Sequence, residues 1–438
     1  MFANAKAYID RAILDCNIAI DKGKIFKIGR EASMPSADTK IDLKGLLTLP
    51  GLIDVHVHLR DEGKARKEDF YTGTSAAAAG GITTVLDMPN NDPVTMSRGS
   101  LRNRMEIAKD EILVNVGFYS EFPCHMDEIE SVFKAGAVAF KLFMAEQVGG
   151  LNIDDDAALL DAFKAVSKLK KLVATHAEDR KLLNKSKDQM QRAGQRDIDA
   201  YLKAHSEDVE AKAIQHLLEI ARQANMRIHF CHVTTELGLN TVIDGKKRGE
   251  LVTCETTPHN LLLATEDMKL IGATALTMPP LRDKHNIEAL WEGIRNGSID
   301  IVASDHAPHM LKEKETKNVW EAKVGIPGLE TMLPLLLTEA RKGRLLIGDI
   351  VRLVAEKPAE VFELKGRGFL KAGNWADLTI IDSRKKGKID SSKFRSKAKF
   401  SPFDGWKIEG MPVKTVVNGR LVMDENEIIS KTRIGMVL

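Results

Sequence analysis

The chain has 438 residues and a mass of 48.4 kDa, a length that calls for roughly two to three domains or one large barrel with an appendage. Hydrophobic residues make up 43% and charged residues 29%, a globular balance that excludes a disordered or collagen-like chain. Lys plus Arg is 64 against 62 for Asp plus Glu, a net charge of +2, so no global attraction draws the chain to nucleic acid or an anionic membrane. The four cysteines, Cys16, Cys124, Cys231 and Cys254, stand far apart without a C-x-x-C pair. They offer neither a disulfide framework nor a thiolate zinc site, and a reducing cytoplasm is the expected setting. No stretch reaches the ~18 uninterrupted apolar residues of a membrane span.

The front of the chain reads as β: NIAIDKGKIFKIG places two alternating segments about a turn at Asp21 to Gly23. Eight short apolar runs follow, starting at Leu52, Ile82, Ile112, Ala137, Lys171, Met226, Leu251 and Asp300. Between most of them lie helix-length stretches such as SEDVEAKAIQHLLEIARQAN from Ser206, with apolar residues at three- and four-residue spacing. Eight strands alternating with helices over about 250 residues predict an α/β fold, a (β/α)8 TIM barrel. No G-x-G-x-x-G follows any strand, against an open dinucleotide-binding sheet. AAAAGG at Ala76 to Gly81 lacks the G-K-[ST] of a phosphate loop and reads as a helix packing closely and stopping before the second strand. KKGKIDSSKFRSKAKF from Lys385 reads as a solvated linker. ADLTIID and KTVVNGRLVMDENEII, with a turn at Asn418-Gly419, are β again. Two β pieces flanking a closed barrel bury their faces against each other, so residues 1–48 and 367–438 are expected to form one small β-sandwich around a barrel of residues 49–366.

The sharpest chemistry lies in Asp54-Val-His56-Val-His58-Leu-Arg60, at the end of the first barrel strand. Side chains alternate along a strand, so Asp54, His56, His58 and Arg60 share a face, and two imidazoles two residues apart can grip one metal ion. Lys141, in AFKLFMAE, sits among apolar residues, where a bare ammonium is costly and must be neutralised, paired or modified. Converted by CO2 to a carbamate, it becomes an anion able to bridge two cations. His176 in THAE, His232 in CHVTT and Asp305 in SDHAPH end further strands, at the rim where barrel active sites lie. Together these residues describe a binuclear site whose imidazoles and hard oxygens favour zinc, with manganese or cobalt able to use the same ligands. Two such metals share a hydroxide with a pKa near 7, and Asp305 is placed to move its proton. His229, three residues before His232, is expected to face away and serve structure. His259 balances a supporting role at the metals against simple packing, and His125, His205, His216 and His285 are expected to be structural or exposed.

From PGLIDVHVHLRDEG through SAAAAGGITTVLDMPN, AFKLFMAE, THAED, CHVTT, PPLR, SDHAPH and GIPGLE to GRGFLKAGNWADLTIID, nearly the whole chain resembles the cyclic amidohydrolases, and within them the dihydroorotase family. The resemblance implies two Zn2+ per subunit held by His56, His58, Lys141, His176, His232 and Asp305, bridged by carboxylated Lys141 and a hydroxide, with Asp305 as general acid and base. It implies that Arg60, Asn90 and His309 hold the substrate carboxylate and that backbone groups of Val324 and Gly325 reach the substrate. The reaction implied is the reversible cyclisation of N-carbamoyl-L-aspartate to (S)-dihydroorotate in pyrimidine synthesis. A homodimer and association with aspartate carbamoyltransferase are compatible with it. The chain departs from the family's pattern at Met278, where an asparagine usually contacts the ring, and at Met310 after His309. Dihydropyrimidinases, hydantoinases and allantoinases share the metal set, the first and last of these families lacking the arginine, and a non-catalytic assembly homologue would lose metal ligands, of which none is missing here.

Overall fold

The computed structural model describes residues 1–430 and 432–438. Eight parallel strands, Leu52–Val57, Ile82–Asp87, Asn115–Ser120, Ala137–Phe143, Leu172–His176, Arg227–Phe230, Val252–Thr256 and Ile301–Val302, pair each with the next in chain order. A bridge between Val57 and His306 closes the last strand's extension onto the first, where the His58 N–H donates to the His306 carbonyl at 2.8 Å. Leu52–Val57 and Ile82–Asp87 are buried at every position, as strands covered on both faces must be. The outer helices are amphipathic. Glu207–Gln223 turns Val209, Ile214, Leu217 and Leu218 inward and leaves its first turn acidic, which suits the positive end of the helix dipole. Phe70–Ala79 starts at a capping box between Asp69 and Thr72. It stops at Gly80, where a Cβ would meet the Leu329 carbonyl oxygen at 2.0 Å, and Gly81 turns the chain with φ +81°. AAAAGG is therefore a packing and stop signal.

Both ends of the chain build a second, nine-stranded sheet. Its N-terminal members are Phe2–Ile9, Ala12–Asp21, Lys24–Gly29, Ile41–Asp42 and Leu47–Pro50, and its C-terminal members are Leu378–Lys388, Lys407–Val417, Arg420–Asp424 and Glu427–Ile428. Leu47–Pro50 joins the halves, running parallel to Phe2–Ile9 and antiparallel to Leu378–Ile381. Ile18 and Ile25 from one half and Leu378, Val413 and Val416 from the other share a single apolar cluster, the core of the sandwich. The expected turns at Lys22-Gly23 and Asn418-Gly419 are present, all four residues having φ between +48° and +79°.

The segment from Lys385 is not a solvated linker. It continues its strand to Lys388 and then lies on the barrel, burying Ser391, Phe394, Ser396, Ala398 and Phe400. Lysines alternate with small and aromatic residues here, so the charges point outward along an apolar inner edge. Ser396 Oγ and the Lys397 N–H both donate to the Glu68 carboxylate, and Lys397 pairs with Asp69 at 2.5 Å. At the opposite face of the barrel, the Val116 N–H donates to the Met436 carbonyl at 2.9 Å. Among the described residues no helix is long and apolar enough to cross a membrane.

Candidate active site

The site lies where the strands end and the backbone turns irregular. His56 is on the first strand, but Arg60 is three residues beyond its end with φ +65°, so strand alternation does not carry it to its place. Asp305 and His232 likewise sit past their strands, with φ of +45° and +33°. These left-handed conformations are uncommon outside glycine and are held by the surrounding barrel. The Asp54 carboxylate ties the first and eighth strands together, accepting from the Ser304 N–H at 3.1 Å and the His56 N–H at 3.2 Å.

Side chains from distant strands converge. Asp305 Oδ1 stands 3.3 Å from His56 Nε2 and 3.4 Å from His58 Nε2. The ligand atoms of His56, His232 and Asp305 all lie within 4.8 Å of one another, and all three residues are buried. On the far side His176 Nδ1 faces His232 Nε2 at 3.1 Å. The outward nitrogens are fixed by acceptors: His56 Nδ1 by Glu255 at 2.5 Å, His58 Nδ1 by Asn90 Oδ1 at 2.7 Å and His176 Nε2 by Glu178 at 2.8 Å. Each acceptor takes an N–H, which in a neutral ring leaves the inner nitrogen with its lone pair free, the tautomer a metal ligand needs. Glu255 and Glu178 are themselves held, by His229 at 3.1 Å and His205 at 2.6 Å.

The charge balance fits a cation. Burial drives the His58 pKa down to about 3 and that of His232 well below its ordinary value, so both are neutral ligands. Burial opposes charge on His56 as well, yet Asp305, Cys231 and Glu255 overcome it and raise its pKa to about 10. For Asp305 burial pushes upward, and His56, His58 and His232 more than reverse it, holding the carboxyl well below its usual range. The proton that His56 takes up beside the ionised Asp305 carboxylate, next to the neutral imidazoles of His58 and His232, marks a buried point that calls for positive charge. Lys141 is fully buried, with Nζ 2.9 Å from Cys231 Sγ and 5.0 Å from the Phe143 ring centroid. Among the described residues no carboxylate pairs with it. His56, Cys231 and Glu255 form a second possible donor group. Both Glu255 oxygens are already taken by imidazoles, so this group orients His56.

Beside the metal-type ligands lies a different kind of vacancy for charge. Arg60 is 7% exposed, and its guanidinium contacts only the Pro308 carbonyl, at 3.3 Å, and His309 Nε2, at 3.2 Å. Among the described residues no carboxylate pairs with it.

The Amidohydrolase family model matches residues 47–422. A dihydroorotase of Methanosarcina acetivorans is 36% identical over 99% of this chain and 94% of its own length. One of Bacillus cytotoxicus is 37% identical over 94% of each chain. Among solved structures, an L-hydantoinase (dihydropyrimidinase) from Arthrobacter aurescens superposes with a TM-score of 0.96 at 33% identity, covering 100% of this chain and 98% of that one. The chain belongs to the amidohydrolase family.

In this amidohydrolase the expected ligands His56, His58, His176, His232 and Asp305 come together in one buried cluster, with Lys141 bonded to Cys231, itself close to His56. Arg60 and His309 meet each other. Asn90 presents its carbonyl oxygen to His58, leaving only its amide nitrogen for a substrate. Gly325 approaches closely: a Cβ there would stand 2.6 Å from Ala307 and 3.4 Å from His309 Cδ2. Its N–H is bonded to the Leu276 carbonyl at 2.9 Å and its carbonyl accepts from Lys314 at 2.7 Å. Met278 packs with Ala145, Leu183 and Trp320, an apolar wall in place of a polar ring contact. His259 is buried, its pKa lowered to about 4 by burial. Sequence reasoning passed over Glu255, Glu178 and Lys67, and His205, expected to be structural or exposed, is buried and holds Glu178. Glu178 stands two residues past His176, a spacing that could have found it, whereas no such signal marks Glu255. His229 faces Glu255, which holds His56, so its structural role bears directly on the site.

Proposed function

We propose that this amidohydrolase is a dihydroorotase, interconverting N-carbamoyl-L-aspartate and (S)-dihydroorotate in pyrimidine synthesis. The observation that carries the reading is the buried, carboxylate-free guanidinium of Arg60 next to the metal-type cavity. A guanidinium left without an anion in such a place is costly, and a bidentate carboxylate is its natural partner. Dihydroorotate has that carboxylate, whereas the rings of hydantoinases and dihydropyrimidinases lack it. The full-length similarity to dihydroorotases agrees with this reading.

His56, His58, His176, His232, Asp305 and a carboxylated Lys141 would hold two Zn2+. Bound there, the metal pair supplies Lewis acidity and ionised water at neutral pH. In the hydrolytic direction water adds to the ring carbonyl carbon and the carbon–nitrogen bond breaks. The Asp305 carboxylate takes the proton of the attacking water and returns it to the departing nitrogen. Arg60 and His309 grip the carboxylate, with the Asn90 amide nitrogen and the backbone at Val324 completing the contacts, while Gly325, expected to bind through its backbone, has its N–H and carbonyl bonded to Leu276 and Lys314 and serves by its close approach to His309. The barrel, residues 49–366, carries the chemistry, and residues 1–48 with 367–438 brace it. Cytoplasmic location, a homodimer and association with aspartate carbamoyltransferase belong to the same reading, and sedimentation with co-purification reads out the last two. The test is turnover by the purified protein supplied with zinc and bicarbonate. Ring closure of carbamoyl-aspartate at mildly acidic pH and ring opening of dihydroorotate at alkaline pH are expected. Turnover of hydantoin or dihydrouracil with none of dihydroorotate would overturn the reading.

A further inference from the structure

We propose that Lys67 is a positioning residue that makes His309 a hydrogen-bond donor and so completes the carboxylate clamp; this rests on the proposed dihydroorotase reading and deepens it. Lys67 is 7% exposed, with Nζ 3.0 Å from His309 Nδ1 and 3.2 Å from Glu313 Oε1. Lys67 Nζ and Arg60 Nη2, 3.2 Å from His309 Nε2, both only donate, and a neutral imidazole can accept from one of them. The shorter contact is at Nδ1, where Glu313 Oε2 stands off at 3.6 Å and faces the Met310 N–H instead, so Nδ1 accepts from Lys67 and the single N–H of the ring lies on Nε2, toward Arg60. Two N–H groups thus converge without an acceptor between them, and a carboxylate, with an oxygen for each, satisfies both. The opposite tautomer would turn an imidazole lone pair toward the incoming anion and repel it.

Glu313 holds the lysine in place. Its Oε2 accepts from the Met310 N–H at 3.1 Å, which anchors the carboxylate to the loop that carries His309, while Oε1 faces Lys67 and, at 3.4 Å, Arg66. The backbone N–H of Lys67 is bonded to the Lys64 carbonyl at 2.8 Å. Lys64 Nζ in turn donates to the Asn90 carbonyl at 2.7 Å. The loop from Arg60 to Lys67 therefore sets both arms of the clamp.

Steady-state kinetics of the zinc-loaded full chain with dihydroorotate and dihydrouracil test this. Lys67→Met should raise KM for dihydroorotate ~10-fold, the weight of one charge-assisted hydrogen bond, while kcat falls less than ~3-fold. Lys67→Arg, again a pure donor, should recover most of the loss. Lys67→Gln should recover less, because its amide can turn either its NH2 or its oxygen to Nδ1 and so leaves the tautomer unfixed. In a His309→Ala background Lys67→Met should add less than ~2-fold, since the lysine acts through the imidazole. Full additivity there, or equal losses in kcat for both rings with lowered zinc content, would show a merely structural lysine and overturn the inference. A wild-type KM in Lys67→Met, with dihydroorotate turned over normally, would overturn it and leave the proposed function standing. Wild-type protein inert toward dihydroorotate would overturn both.

Discussion

Replacing Arg60 by methionine keeps most of the buried stem and removes the guanidinium. The guanidinium has one backbone and one imidazole contact and no anion of its own, so its hydrogen-bonding capacity is reserved for a ligand. Two charge-assisted bonds to a carboxylate are worth ~1.5–3 kcal/mol each. Losing them together costs about 3–5 kcal/mol of transition-state binding, or roughly 10²- to 10⁴-fold in kcat/KM for dihydroorotate. Dihydrouracil has no carboxylate to lose, and any turnover of it should fall by roughly tenfold or less, the share owed to disturbed packing. The assay is absorbance of the ring amide with both substrates, at equal zinc content confirmed by elemental analysis. Arg60→Lys should lie between, because an ammonium offers a point charge without the fork. If Arg60→Met depressed both substrates by the same factor, the arginine would be supporting the fold and the carboxylate argument would fail.

Asn90→Ala removes the acceptor that orients His58. Zinc affinity measured by competition with a chelator should fall about 10- to 100-fold, and unchanged affinity would mean that Asn90 serves the substrate alone. Gly325→Ala forces a side chain into a backbone with φ +126° and to within 2.6 Å of Ala307. It should cost about 1–3 kcal/mol in denaturant unfolding and raise KM by displacing His309, with unaltered stability counting against it. Lys314 is fully buried among the carbonyls of Leu276, Lys323 and Gly325, and burial lowers its pKa from 10.5 to about 7. Between those values the unfolded chain holds the proton and the folded chain does not, so folding is penalised below pH 7 and relieved as pH rises toward 10.5. The stability of wild type minus Lys314→Met, from guanidinium midpoints, should climb with pH across this window by up to ~1.36 kcal/mol per unit. A flat difference would place the ammonium in a wetter setting than the structure gives it.

The barrel was legible because its strands are largely buried on both faces and so read as mainly apolar runs; seven of the eight fall within a predicted segment, and the third runs one residue past its own, to Ser120. The metal-type ligands were legible because they sit at strand ends, where position in the chain fixes position at the rim. What escaped lies where local pattern stops governing place. Alternation accounts for His56 but not for Arg60, whose left-handed backbone delivers it past the strand. Glu255 and Glu178 look like ordinary charged residues until a fold puts them behind imidazoles. The run from Lys385 failed in the other direction: its lysines suggested solvent, while every second or third residue beneath them was turned inward by a surface that only the assembled barrel provides.

That strap carries a consequence for how the molecule comes to life. Glu68 adjoins Lys67, and its partners, Ser396 and Lys397, arrive more than three hundred residues later. A nascent chain can lay down all its barrel strands on the ribosome and still lack the brace behind its anion-holding loop. The brace on Glu68 can form only once residues near position 400 have emerged.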